Sequence, residues 1–96
     1  LIRIFGLGNS RRLEEVRERS DIVELIGSEV DLRPSGSTLK GLSPFHPEKT
    51  PSFVVWPATQ SWHDFSGGGG LGGDVFAYVM ERDKVGLMEA LGLLTA

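Results

Sequence analysis

SPFHPEKTPSF (Ser43–Phe53) and WHDFSGGGGLGGD (Trp62–Asp74) frame the middle of this 96-residue chain, and the run between them decides its fold. SFVVW and SWHDF sit on either side of PATQ and are rich in the β-branched and aromatic residues that suit a pleated surface, so they predict a pair of strands. Upstream, SEVDLR alternates, with Val30 and Leu32 on one face and Glu29, Asp31 and Arg33 on the other. PSGS then offers turn chemistry before TLKGL alternates again, which predicts a hairpin. Further out, Leu13, Val16, Val23 and Ile26 recur at helical spacing, Asp21 with Glu24 resembles a capping box, and Gly27 ends the short helix DIVELI. Downstream, Asp74 is placed to cap VFAYVMERD, and a last helical stretch follows Lys84. Two short helices, about four strands and then more helices define an α+β chain with a small antiparallel sheet. Phe45, Phe53 and Phe65 are expected in its core. The glycine-rich stretch Ser66–Gly73 is expected to be a mobile loop, because glycine is costly to order.

Composition narrows the function classes. The chain has no cysteine, so disulfides and thiolate metal sites are excluded, and packing must supply the core. No apolar run approaches the ~20 residues of a membrane span, and a cytoplasmic setting is expected. The opening LIRIFGLGNS begins at Leu1 rather than Met and is expected to be a tail or foreign extension (residues 1–10), leaving residues 11–96 as one domain from a longer chain. The net charge of −3 conceals a gradient. Leu1–Leu32 carry five basic and seven acidic residues, Arg33–Phe65 three and two, and Ser66–Ala96 two and four. Only the middle third is positive, which is a weak footprint for a polyanion.

Catalytic constellations are not evident. SGGGGLGGD contains G-x-G-x-x-G, but a polyglycine run matches that pattern trivially. There is no room for a βαβ sheet and no P-loop lysine, so the run reads as a loop. The neighbouring carboxylates Glu14 and Glu15, and Glu29 and Asp31, lie where solvated helix and strand faces are expected.

SPFHPEKTPSF and WHDF resemble the N-terminal zinc-binding (CHC2-type) domain of bacterial DnaG-type DNA primases, whose pattern is C-P-F-H-x-E-K-T-P-S-F, a spacer, then [YW]-H-C-F-x-C-G leading to G-G-D and a helix. RRLEEVRERSDIVELIGSEVDLRPSG and GGDVFAYVM extend the resemblance from about Arg11 to Met80. It implies a zinc-ribbon-like sheet flanked by short helices. It also maps the family's four zinc ligands onto Ser43, His46, Asp64 and Gly67, of which His46 alone is retained; Gly69 is an alternative for the last position. No zinc or other cofactor is therefore expected, and Ser43, His46 and Asp64 are expected to form a polar knot in its place.

The resemblance further implies a role in DNA replication: binding single-stranded template and helping to start primers, beside a primase polymerase domain that joins ribonucleotides and a replicative helicase met by the full-length protein. The fragment itself is expected to be non-catalytic, and no membrane partner is expected. Lys49 is the first candidate for phosphate contact, with Arg33 and Lys40 as helpers, while Trp56, Trp62 and His63 offer faces on which bases could stack. Only one of each alternating pair on a strand can face outward. The alternative is a metal-free interaction module that docks on the polymerase domain or the helicase.

Overall fold

The computed structural model describes the backbone of residues 2–67 and 70–95 and the side chains of residues 11–67 and 70–95. The order is α1 (Ile2–Arg19), α2 (Ile22–Gly27), β1 (Arg33–Ser35), β2 (Thr38–Gly41), β3 (Phe53–Trp56), β4 (Ser61–Asp64), β5 (Leu71–Gly73), α3 (Val75–Asp83) and α4 (Leu87–Thr95). The strands form one antiparallel meander in the order β1-β2-β3-β4-β5.

Local chemistry sets the element ends. The Asp21 side chain caps α2 by accepting the Val23 N–H at 2.9 Å, and the Asp74 side chain caps α3 by accepting the Ala77 N–H at 3.0 Å. The β1–β2 hairpin closes through Gly36, whose φ of +63° favours glycine, between the partners Ser35 and Thr38. The β3–β4 turn ends at Gln60, also in the left-handed region. Its side-chain Oε1 accepts the Ile22 N–H at 2.8 Å and ties that turn to the start of α2.

One face of the sheet carries the core. Phe53, Val55 and Trp62 pack against Ile22 and Ile26 of α2, Val75, Phe76, Tyr78 and Val79 of α3, and Ala90 and Leu91 of α4. Phe45, from the loop between β2 and β3, joins Phe53, Trp62 and Tyr78 in a ring cluster with centroid distances of 5.4 to 6.4 Å.

Three expectations are corrected. SEVDLR is not a strand: the Glu29 and Val30 N–H groups bond the Ile26 carbonyl, prolonging the turn after α2, and pairing begins only at Arg33. The glycine-rich stretch contains a fifth strand, because Leu71–Gly73 pairs along the free edge of β4. Residues 68 and 69 of that stretch lie outside the described residues. Phe65 is 57% exposed and packs on His63 rather than in the core, since it follows the core-facing Asp64 and so points to the opposite side.

Candidate functional site

Two loops meet at the β3–β4 end of the sheet, one after β2 and one after β4. Asp64, the last residue of β4, is fully buried on the core side, opposite Phe53. Its Oδ2 accepts a hydrogen bond from Ser43 Oγ at 2.6 Å and lies 3.3 Å from His46 Nδ1. Its Oδ1 accepts from Ser66 Oγ at 2.5 Å and from the Ser66 N–H at 2.9 Å. Ser43 Oγ in turn accepts the Phe45 and His46 N–H groups, each at 3.0 Å. Ser66 Oγ lies 3.2 Å from His46 Nδ1, so a proton on that nitrogen is shared between Ser66 and Asp64. A second carboxylate pins the first loop, with Glu48 accepting the Ser43 N–H at 2.6 Å as well as the Ser52 hydroxyl and N–H.

Both carboxyls titrate below their ordinary range. Burial alone would push Asp64 up; the hydrogen bonds from Ser43, Ser66 and His46 outweigh it. For Glu48 the Ser52 hydroxyl is the main cause.

Ser43, His46 and Asp64 thus come together. Gly67 adjoins them: a Cβ built there would lie 3.0 to 3.1 Å from the His46 ring, at a φ of +59°. Sequence reasoning missed Ser66. The residue occupies a variable position of the motif, and its contribution depends on the local turn that folds its N–H and hydroxyl back onto Asp64.

The cationic and aromatic candidates separate by face. The register pairs Arg33 with Lys40, Lys40 with Val54, Val54 with His63 and His63 with Gly72, forming one row on the face away from the core. Trp56 and Ser61 are partners in the next row of that face. Lys40 and Arg33 are exposed, and Arg33 is ion-paired with Asp31 at 3.0 Å. Val54, between Lys40 and His63, is buried yet stands outside the core cluster. Lys49 is exposed on the loop between β2 and β3, off this row. Trp62 is corrected: it is 2% exposed among the core rings, and its Nε1–H donates to the Asp74 carbonyl at 2.9 Å, so no face of it is free for a base. The next residue along β4, His63, faces the other side of the sheet, and the outward tryptophan is Trp56.

A small antiparallel meander whose two loops converge on four side-chain positions is the architecture of a zinc-ribbon domain. The chain belongs to the CHC2 zinc-finger family, whose model matches residues 9–96, the zinc-ribbon domain of DnaG-type DNA primases. It is 46% identical to the DNA primase of Listeria monocytogenes over 79 residues, covering 82% of this chain and 12% of that protein. With the DNA primase of Geobacillus stearothermophilus it shares 43% over 84 residues, covering 88% and 14%. The crystal structure of the Aquifex aeolicus primase, comprising zinc-binding and RNA polymerase domains, superposes with a TM-score of 0.79 at 34% identity, over 88% of this chain and 20% of that one. The chain therefore spans about an eighth of the length of these curated relatives.

The family implies zinc, and the residues present do not fit it. Ser43 offers an alcohol and Gly67 no side chain, while Asp64 and His46 Nδ1 are engaged with one another and with Ser66. Two side chains fall short of the four ligands of a structural site. Among the described residues no three His, Cys, Asp or Glu side chains come together to hold a metal ion. No described helix is long and apolar enough to cross a membrane.

Proposed function

We propose that this domain, residues 11–96, binds single-stranded DNA template through the outer face of its sheet and so helps a primase to start primers during DNA replication in the cytoplasm, without a resident metal. The observation that carries this reading is the row Arg33–Lys40–Val54–His63, with Trp56 beside it: cations and a stacking face on the solvent side of one rigid sheet. Lys49 supplies a further phosphate contact from the adjoining loop. Bases stack on aromatic faces regardless of sequence, and lysine and arginine neutralise the phosphates between them. By its family, the domain works beside a polymerase domain that joins ribonucleotides, in a full-length protein that meets the replicative helicase. The domain alone performs no catalysis.

Titrating the labelled domain with short single-stranded DNA at low and moderate salt tests this. Salt-sensitive NMR shifts at Lys40, Trp56 and His63 are expected, and the absence of shifts at either salt would overturn the template reading. One observation favours a second reading. Leu87, Met88 and Leu93 of α4 are exposed, and such a surface suits an interaction module that docks on the polymerase domain or the helicase. Docking through α4 would be nearly indifferent to salt.

A further inference from the structure

A zinc ribbon holds its two loops by placing a cation where lone pairs converge. Here the arrangement is inverted, because the group at the centre is an anion and the groups that converge on it are hydrogen donors. Asp64 lies fully buried between the loops and receives the Ser43 hydroxyl from one of them, the Ser66 hydroxyl and N–H from the other, and the His46 ring. Donor and acceptor capacities assign the protons. The two serine hydroxyls each donate to Asp64, Ser43 Oγ uses its remaining capacity for two backbone N–H groups, and Ser66 Oγ is left to accept from His46 Nδ1. Every buried side-chain nitrogen or oxygen among the described residues has a partner, both Asp64 oxygens included.

We propose that the Asp64 carboxylate is itself the cross-link: a buried anion, held by donors from both loops with Ser66 as the positioning residue that compensates for Gly67, does the work a metal ion does elsewhere in the family. The domain then folds without zinc and resists chelators and thiol oxidants. The donors around the Asp64 carboxylate form a cage suited to an anion rather than a cation. Ser43 and Glu48 extend the same principle outward, since the Ser43 N–H is held by a second carboxylate. None of this rests on the template reading, because it follows from family membership and from the donors around Asp64.

The test begins with the unaltered domain, purified with zinc in the medium. Less than about one-tenth of a zinc per chain and a melting temperature unmoved by excess chelator are expected, whereas chelators denature zinc-dependent folds. Stoichiometric zinc together with a fall in melting temperature on chelation would overturn the proposal. The second arm is Asp64→Ala, which leaves a cavity lined by donors. Formate should raise its melting temperature in a concentration-dependent way and leave the parent unmoved, as ligand binding to the folded state requires, and zinc should raise neither melting temperature. Rescue by zinc, or none by formate in a folded Asp64→Ala protein, would overturn the anion-centred account. Should that variant not fold, the zinc content and chelator response of the parent decide the proposal, and Ser66→Ala tests the positioning role: the His46 imidazole nitrogen resonances should shift, because Nδ1 loses an acceptor, and unchanged resonances would refute the role given to Ser66.

Discussion

The two tryptophans, on adjacent strands, should separate stability from binding. Trp62 lies 5.4 Å from Phe53, 5.7 Å from Phe45 and 5.8 Å from Tyr78 by ring centroid, and donates its indole N–H to the Asp74 carbonyl. Trp62→Phe loses that hydrogen bond, worth about 1 kcal/mol, and leaves unfilled volume worth about 1–2 kcal/mol more. At about 4–8 °C per kcal/mol for a domain of this size, the melting temperature should fall by roughly 8–24 °C. DNA affinity measured well below the transition should hold. Trp56 sits on the opposite face, half-buried, paired with Ser61. Trp56→Ala should lower the melting temperature through the apolar area it uncovers, and on top of that the loss of one stacked base costs about 1–3 kcal/mol of binding, a roughly 5- to 150-fold weaker Kd in the folded domain. Circular dichroism melts and fluorescence anisotropy with a labelled oligonucleotide read both quantities. An affinity unchanged by Trp56→Ala but lost on Trp62→Phe in the folded state would refute the assignment of faces.

Three further outcomes are expected. Asp64, Glu48 and Asp83 all titrate below the ordinary carboxylate range, Asp83 chiefly through its hydrogen bond with Arg82. A depressed folded value means that the stability these groups contribute is complete above the unfolded pKa and lost as pH falls through the folded one. Melting temperatures should therefore hold as far as these groups are concerned down to about pH 4 and drop below it, with the Asp64 portion absent from Asp64→Asn. Gly73→Ala should destabilise by at least about 1–3 kcal/mol in a denaturant titration, because its φ is +145° and an added Cβ would lie 2.6 Å from Ala77 Cβ at the packing of β5 on α3. Lys40→Ala should lower the slope of log affinity against log salt by about 0.7, the share of one single-strand phosphate contact, and leave the melting temperature unchanged.

Much of this was legible in the chain because the signals were local. The caps Asp21 and Asp74, the Gly36 turn and the period of two in FVVW and SWHD all act within a few residues, and the structure follows them. The meeting of Ser43, His46 and Asp64 was legible through family spacing. What stayed hidden depends on partners distant in sequence. LGG carries no strand propensity, and β5 forms because the edge of β4 needs partners and Gly72 lets His63 approach: a Cβ there would sit 2.7 Å from His63 Nδ1. The Trp56 and Trp62 alternatives could be posed from alternation but resolved only once the helices covered one face. Ser66 was hidden because a serine beside a glycine run is ordinary loop composition.

In the anion-centred reading proposed above, a carboxylate cage stands in for a zinc ion that contributes roughly 10–16 kcal/mol in isolated fingers, and Phe45 is what would make the exchange tolerable. In a small finger the metal stands in for a core. Here the first loop hangs from a core that already exists: between Ser43 and His46 the chain inserts Phe45 against Phe53, Trp62 and Tyr78, at centroid distances of 5.7 to 6.1 Å. Each such aromatic contact is worth about 0.5–1.5 kcal/mol beyond its buried area, so the loop is anchored by its own side chain before any polar group is placed. The second loop needs less help, because β4 and β5 hold both of its ends in the sheet. The central group then has only to fix how the two loops face one another, a task for directional hydrogen bonds of about 1.5–3 kcal/mol each to a charged acceptor. Phe45→Ala should accordingly unfold the loop more completely than Ser43→Ala, even though Ser43 donates directly to Asp64. A larger stability loss in Ser43→Ala, measured side by side, would return the burden to the polar centre.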